Sequence, residues 1–130
     1  MKWPAPVRRV TVLSASEPRI SVVIHTAPSA DLEPAELILA LAAFDLPVQV
    51  FFTGNGLFWL LPQEARKPNG KAPLKVLSAF PLYGVETLFY CRDDQSALGL
   101  ETATLPEYSA PLSAAEIGRQ LQHSTQVFTF

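Results

Sequence analysis

The chain has 130 residues, of which 48% are hydrophobic and 17% are charged, and its formal net charge is −2. A chain of this length is expected to form one domain with a substantial core, and its near-neutral charge excludes the strong positive field that attracts nucleic acids. One cysteine cannot form an internal disulfide, no apolar run approaches the ~20 residues of a membrane span, and the first residues lack the apolar region of a signal peptide. We therefore expect a cytoplasmic protein without membrane contact.

The first 18 residues have the least regular pattern in the chain. Trp3–Pro6 contains two prolines and is expected to be extended and exposed. Val10–Leu13 could form a short strand, and Ser14–Pro18 has the composition of a turn or linker. Two alternatives stay open for residues 1–18: a flexible arm, or an extra edge strand that forms a hairpin with the next segment. We expect residues 19–130 to form an α/β domain.

That domain is predicted to begin with a strand, a helix and a second strand. Ile20–Ile24 is rich in β-branched residues, which favour strands. Glu33-Pro34 opens a helix that runs through Ala35–Phe44, because proline is favoured in a first helical turn. This helix is apolar on nearly all sides, which predicts that other parts of the structure cover it. Val48–Phe52 is apolar on both sides, as is typical of a strand buried on both faces of a parallel sheet.

The next residues turn the chain directly from this strand into a short helix that Pro62 ends. Gly54-Asn55-Gly56 lacks the further glycines and the lysine of a phosphate-binding loop, so a tight turn is favoured there. The helix has more apolar surface than so short an element usually hides, which indicates contact with another chain. We expect Phe58 and Trp59 to be more exposed in the isolated chain than typical core aromatics. The predicted partner interface consists of Leu57, Phe58, Trp59 and Leu61.

Helices and strands continue to alternate in the second half of the chain. Ser113 and Glu116 have the spacing of a capping box at the start of a helix. Because strands and helices alternate throughout, the sequence predicts an open, roughly five-stranded, mostly parallel sheet with helices on both faces. The other predicted elements are a helix in Leu74–Leu82 that ends before Pro81, a strand at Val85–Tyr90 leading to Cys91, a short helix at Arg92–Leu98, a weak strand at Thr102–Leu105 and a terminal strand at Gln126–Phe130.

Three segments follow the carboxyl ends of predicted strands, where open parallel sheets bind their ligands. They are His25-Thr26, Thr53–Gly56 and Cys91–Asp93, which could converge at one edge of the sheet. A lone histidine such as His25 is more often structural than catalytic, and the other histidine, His123, falls at a helix end. No histidine and cysteine have the spacing of a metal site, and the glycine pattern is incomplete for a nucleotide-binding loop, so we expect neither a metal nor an organic cofactor.

Cys91 is the candidate catalytic residue. It ends a strand, and the positive end of the following helix would stabilise a thiolate able to carry sulfur as a persulfide. Arg92 would act in the same direction, whereas Asp93 and Asp94 would raise the pKa of the thiol and repel an anionic persulfide. The alternative is that Cys91 is a small buried hydrophobic side chain.

The polar loop that follows Pro62 contains three basic residues, Arg66, Lys67 and Lys71. These side chains could touch RNA or an acidic partner, but most such clusters are solvated loops. We therefore expect no direct contact with nucleic acid.

Several segments, taken in order, resemble those of one known family. Ile20–Pro28 (ISVVIHTAP), Val50–Pro62 (VFFTGNGLFWLLP), Leu82–Glu86 (LYGVE) and the strand ending in Cys91 are similar to segments of the DsrE/DsrF-like sulfur-relay proteins. They resemble above all the TusC (DsrF-like) branch, in which a strand followed by T-A-P, an F-F-x-x-x-G-x-x-x-L-L-P segment and an L-Y-x-I/V-E segment occur in this order. The resemblance covers roughly residues 19–130.

The resemblance implies a flavodoxin-like three-layer domain in a heterohexamer of TusB-type, TusC-type and TusD-type chains. That complex relays persulfide sulfur, between upstream and downstream sulfur-carrier proteins, toward 2-thiolation of the tRNA wobble uridine. The relay cysteine of the family belongs to the TusD-type subunit, at the strand end that Cys91 occupies here. A structural, non-catalytic subunit is therefore implied. The alternatives are a sulfurtransferase subunit with Cys91 as persulfide carrier, or a DsrF-like subunit of an oxidative sulfur pathway.

Overall fold

A computed structural model of the protein describes residues 19–62 and 70–130. Its centre is a sheet of five strands: β1 (Ile20–Ile24), β2 (Val48–Phe52), β3 (Leu88–Cys91), β4 (Ser109–Leu112) and β5 (Gln126–Thr129). The strands are hydrogen-bonded in the order β4-β3-β2-β1-β5, and each neighbouring pair is parallel. The same residues form the helices α1 (Glu33–Ala43), α2 (Pro73–Leu77), α3 (Arg92–Ala97) and α4 (Ala114–Gln122), and two 3-10 helices, Gly54–Leu60 and Phe80–Tyr83.

The strand order leaves the two faces of the sheet unequally covered. From β1 to β4 each strand is added on the same side of the one before, and α4 then carries the chain back across the sheet to β5. Right-handed crossovers therefore place α1, α2 and α3 over one face and α4 over the other. The predicted five-stranded parallel sheet with helices on both faces is confirmed. Its strand order is distinct from the 2-1-3-4-5 order of flavodoxin.

The main core lies between the sheet and the crossovers that carry α1, α2 and α3. Val22 and Ile24 of β1, Val50 and Phe52 of β2, and Ile38 of α1 are all fully buried in it. Burial of each such side chain stabilises the fold by roughly 1.5–3 kcal/mol relative to its exposure. The core therefore fixes β1 and β2, and with them the residues that follow their carboxyl ends.

The opposite face of the sheet has a smaller core. There Phe51 and Cys91 pack against Ile117 of α4, and the ring of Phe89 stacks on that of Phe51 with a centroid distance of 5.6 Å. The helix α4 begins at the predicted capping box, which is confirmed. The Ser113 hydroxyl accepts a hydrogen bond from the backbone N–H at position 116 (3.1 Å), and the Glu116 carboxylate accepts one from the Ser113 N–H (2.9 Å).

One predicted element of the second half is wrong, and another is shorter than predicted. Thr102–Leu105 is not a strand, and β4 instead contains Pro111, which an edge strand tolerates because one of its sides makes no ladder hydrogen bonds. The helix predicted in Leu74–Leu82 with its end before Pro81 is present as α2, which already ends at Leu77, and the separate 3-10 helix Phe80–Tyr83 follows it. Pro81 lies in the first turn of the 3-10 helix, where a backbone N–H would have no hydrogen-bond partner within the helix, so proline is tolerated there.

The helix α1 is also less covered than its composition predicts. Ala35, Ile38 and Ala42 are buried, whereas the remaining residues of α1 are half-buried or exposed. Its apolar outer face is therefore a surface of this chain.

Some predictions concern residues outside the described ranges. These are the arm or edge strand at residues 1–18 and the basic side chains Arg66 and Lys67; Lys71 is described and exposed. Within the described ranges, no helix is long and apolar enough to cross a membrane.

Candidate functional site

The carboxyl ends of β1, β2 and β3 bring the three candidate segments together. The parallel register places His25, Thr53 and Cys91 side by side at the ends of three neighbouring strands. Residues at equivalent positions of adjacent parallel strands are about 4.8 Å apart. The segments that are far apart in sequence therefore meet at one edge of the sheet.

The imidazole of His25 is held in place by Thr53 and Gly54. Its Nδ1 lies 2.8 Å from the Thr53 hydroxyl oxygen. The ring lies so close to Gly54 that a Cβ at that position would come within 2.5 Å of the His25 Cε1 atom. Gly54 also has a φ of 50°, which disfavours residues with a side chain. His25 is nevertheless exposed, so its ring is fixed at the surface of this edge.

The glycine turn serves close packing and is not a phosphate-binding loop. A Cβ on Gly56 would lie 1.9 Å from the carbonyl oxygen of Ile24, so only glycine fits against the end of β1. The N–H of Gly54 is already bonded to the Asp94 carboxylate at 2.7 Å and is not available to an anion. The predicted tight turn is the start of the 3-10 helix Gly54–Leu60.

Cys91 is the last residue of β3 and is only 2% exposed. Burial raises the pKa of the Cys91 thiol above its ordinary value, and the nearby Asp94 carboxylate raises it further. The backbone N–H groups of Asp94 and Asp93 oppose this shift, because they favour the thiolate. The net effect is a raised pKa, so little of this thiol is ionised at neutral pH.

The two acidic residues after Cys91 have structural partners that the sequence does not reveal. Asp94 accepts the hydrogen bond from Gly54, at the start of the first 3-10 helix. Asp93 accepts a hydrogen bond from the N–H of Ala114 at 2.9 Å, at the start of α4. A carboxylate at a helix N-terminus interacts favourably with the helix dipole. The two carboxylates therefore join α3 to two other helices, and that of Asp94 also raises the pKa of the Cys91 thiol.

The predicted exposure of the two aromatic residues of this helix is wrong for Trp59. Trp59 is 1% exposed, and its indole N–H donates to the carbonyl oxygen of Thr26 at 3.0 Å. Leu57 is also 1% exposed. The reason is that the segment forms a 3-10 helix that packs against β2, β3, α2 and α3, so it has protein on several sides. Phe58 and Leu61 are half-buried, and their contact with a partner stays a prediction.

The described residues contain no group of three or more His, Cys, Asp or Glu side chains placed to hold a metal ion. His123 follows the last residue of α4 and is remote from His25 along the sheet. What the site offers is a fixed surface imidazole after β1 and a buried thiol at the end of β3, with the end of β2 between them.

Residues 19–130 match the sequence model of the DsrE/DsrF-like family. The chain belongs to the DsrE/DsrF-like family. Its curated relatives place it in the TusC branch. Protein TusC of Buchnera aphidicola is 32% identical over 104 residues, which cover 75% of this chain and 84% of that protein. A protein TusC homolog of Vibrio parahaemolyticus is 27% identical over 118 residues, which cover 86% of this chain and 98% of that protein.

A solved structure supports the fold of this DsrE/DsrF-like chain. The crystal structure of the ychN protein from E. coli superposes with a TM-score of 0.75 at 18% sequence identity. The match covers 88% of this chain and all of the ychN chain. The five-stranded sheet described above is therefore an arrangement that a solved structure also has.

Proposed function

We propose that this chain is a TusC-like subunit of a sulfur-relay complex that passes persulfide sulfur toward 2-thiolation of the tRNA wobble uridine. We further propose that its role is structural and non-catalytic. Membership of the DsrE/DsrF-like family and the TusC relatives support the first part. The burial of Cys91 supports the second.

The state of the Cys91 thiol carries the non-catalytic assignment. A sulfur carrier must expose a thiolate to its donor and acceptor, and must then hold an anionic persulfide. Cys91 is 2% exposed, and burial raises the pKa of its thiol. Asp94 is held next to it by the hydrogen bond to Gly54, so its negative charge stays close to any anionic sulfur at this position.

The proposed partners are the TusB-like and TusD-like paralogues, with sulfur-carrier proteins before and after them in the relay. No metal or organic cofactor is part of the proposal. The low charged fraction of the chain, 17%, is consistent with a subunit that hides surface in an assembly.

The second candidate is that Cys91 itself carries sulfur, in this pathway or in an oxidative one. Two observations favour it: Cys91 lies at the carboxyl edge of the sheet, and the N–H groups of Asp93 and Asp94 lower the pKa of its thiol. Each of these N–H groups lowers the pKa of the thiol by less than burial raises it, and the net shift is upward. This candidate therefore ranks second.

Reconstitution of the complex distinguishes the two candidates. The rate of sulfur transfer from a persulfide donor to the downstream carrier protein would be measured for TusB-like and TusD-like subunits alone, with this chain, and with Cys91→Ser. A structural subunit raises the rate, and Cys91→Ser preserves that effect. A rate that does not change when this chain is added would contradict the subunit role, and a rate lost with Cys91→Ser would show that the cysteine takes part.

A further inference from the structure

The two edge strands of the sheet differ in the backbone groups that they leave unpaired. Among the described strands, β4 pairs only with β3, and β5 pairs only with β1. Neighbouring residues of a strand direct their N–H and C=O groups to opposite sides, so every second residue of an edge strand directs both groups away from the sheet. Such outward groups are a template for pairing with another strand.

The outward side of β4 offers no N–H donor. The N–H of Leu88 in β3 donates to the carbonyl oxygen of Tyr108 at 2.8 Å, so Tyr108 and every second residue after it face β3. The outward residues of β4 are therefore Ser109 and Pro111. The N–H of Ser109 already donates to the carbonyl oxygen of Pro106 at 3.0 Å, and proline has no N–H. This edge is poorly suited to accept a further strand.

The outward side of β5 offers two such donors. The N–H of Phe130 donates to the Val23 carbonyl oxygen at 2.9 Å, and the Phe130 carbonyl oxygen accepts from the His25 N–H at 2.8 Å, so Phe130 faces β1. By alternation, Val127 and Thr129 face away from β1. Both residues are exposed, and within the described parts of the chain their backbone N–H and C=O groups have no hydrogen-bond partner.

The strand β5 also lacks the features by which edge strands avoid pairing. Natural edge strands are protected by lysine, proline, a bulge or a covering element. The stretch Ser124–Phe130 contains no charged residue, no proline and no glycine, and its register with β1 runs without a bulge. Val127 is 42% exposed although it is a large hydrophobic residue. The chain therefore protects one edge of its sheet with Pro111 and leaves the other edge open.

A second copy of β5 fits this open edge. When two copies lie antiparallel about a two-fold axis at Phe128, Val127 of each copy lies opposite Thr129 of the other. Opposite residues that face each other in this way exchange two hydrogen bonds, so the two pairs form about four. Phe128, which packs against the main core, then lies opposite its own copy, where aromatic pairs stabilise a sheet. Since Ser124–Phe130 has no charged residue, no like charges meet along this edge.

We propose that the outward edge of β5 is a self-association surface, through which two copies of this chain join their sheets into one continuous sheet. Because β4 offers no N–H donor on its outward side, the extension stops at two copies, and the assembly is a closed dimer rather than a filament. The contact is small, so the dimer is weak and depends on protein concentration. This inference concerns the chain by itself and goes beyond the proposed function.

The first test is sedimentation velocity of the isolated chain between about 10 µM and about 1 mM, a range that suits weak dissociation constants. The wild type should change from monomer to dimer across this range and form nothing larger. Val127→Pro and Thr129→Pro each remove an outward N–H from both copies, so the dimer loses about half of its edge hydrogen bonds. Each variant should dimerise at least about tenfold more weakly than the wild type.

The matched controls change the same side chains and keep the N–H groups. Val127→Thr and Thr129→Val are β-branched replacements, so each should dimerise within about threefold of the wild type. The proline variants should keep the melting temperature of the dilute wild type within a few degrees, because proline is tolerated at outward positions of an edge strand, as Pro111 is in β4.

Amide exchange of the wild type, measured by NMR at both ends of the concentration range, tests the same edge without a mutation. The N–H groups of Val127 and Thr129 should exchange rapidly in dilute protein and slowly in concentrated protein. Those of Phe128 and Phe130 should be protected at both concentrations, because they are bonded to β1.

Three results would overturn the inference. One is a wild type that stays monomeric at about 1 mM. Another is a dimer that both proline variants form as readily as the wild type, because the contact would then lie elsewhere. The third is protection of the Val127 and Thr129 amides that is equal at both concentrations, because the chain would then cover its own edge. Dimerisation that the proline variants lose and the β-branched variants keep would establish the edge as the contact.

Discussion

Gly56 is the residue whose replacement should disturb the candidate site most directly. A Cβ at this position would lie 1.9 Å from the Ile24 carbonyl oxygen and 2.7 Å from its carbon, whereas ordinary contact begins at 3.4 Å. Gly56→Ala therefore requires the 3-10 helix to move away from β1 by about 1.5 Å. The Ile24 oxygen cannot yield easily, because it accepts the hydrogen bond from the Thr53 N–H at 3.0 Å.

The expected cost follows from this geometry. Overpacking of a well-packed site costs about 1–3 kcal/mol, and more when backbone must move. For a domain of this size each kcal/mol lowers the melting temperature by roughly 3–5 °C. Gly56→Ala should therefore lower it by about 10 °C or more, measured by circular dichroism or calorimetry.

The matched control is Gly118→Ala in α4. A Cβ at this position would meet nothing within 4 Å. Alanine in a helix is more stable than glycine by roughly 0.5–1 kcal/mol, so this variant should melt a few degrees higher than the wild type. If Gly56→Ala melted within about 2 °C of the wild type, the close approach of the turn to β1 would be wrong.

The remaining predictions concern the capping box and the thiol. Ser113→Ala removes a confirmed N-cap and should cost about 0.5–2 kcal/mol of unfolding free energy, while Ser96→Ala, an exposed serine within α3, should cost little. The Ser113 hydrogen bonds hold the pKa of Glu116 below its ordinary 4.5, so this stabilisation is present above pH 4.5 and is lost as the pH falls through the lowered folded-state value. Thermal melts of the wild type and Glu116→Gln between pH 3 and pH 7 should differ at neutral pH and converge in acid; parallel curves would show that the carboxylate is not involved. Asp94→Asn removes the negative charge next to Cys91 and should lower the pKa of its thiol. Iodoacetamide should therefore alkylate Cys91 of the folded variant faster than Cys91 of the folded wild type at neutral pH. An unchanged rate would mean that burial alone determines the reactivity of the thiol.

The strands and the capping box could be predicted from sequence because their signals are local. β1 and β2 are short apolar runs rich in β-branched or aromatic residues, and Ser113 and Glu116 are three positions apart. The small residues and the proline of Ser109–Leu112 give no such signal, since this edge strand is stabilised mainly by pairing with β3.

The contacts of the candidate site depend on residues that are distant in sequence. Asp94 binds a backbone group 40 positions away, and Asp93 binds one 21 positions away. The sequence shows the charge of these two residues but not their partners. Burial of Trp59 likewise depends on the 3-10 helix and on the carbonyl of Thr26, 33 positions earlier. Apolar composition alone cannot tell whether such a helix faces its own core or a partner.

The central claim is that this chain supports sulfur transfer without carrying sulfur, and intact-mass analysis tests it most directly. The native chain and Cys91→Ser would each be incubated with a persulfide donor, alone and with the TusD-like partner. The account predicts that the partner gains a sulfur atom, and that this chain gains none in either form. A gain of one sulfur atom on the native chain that is absent from Cys91→Ser would contradict the account and make Cys91 a carrier.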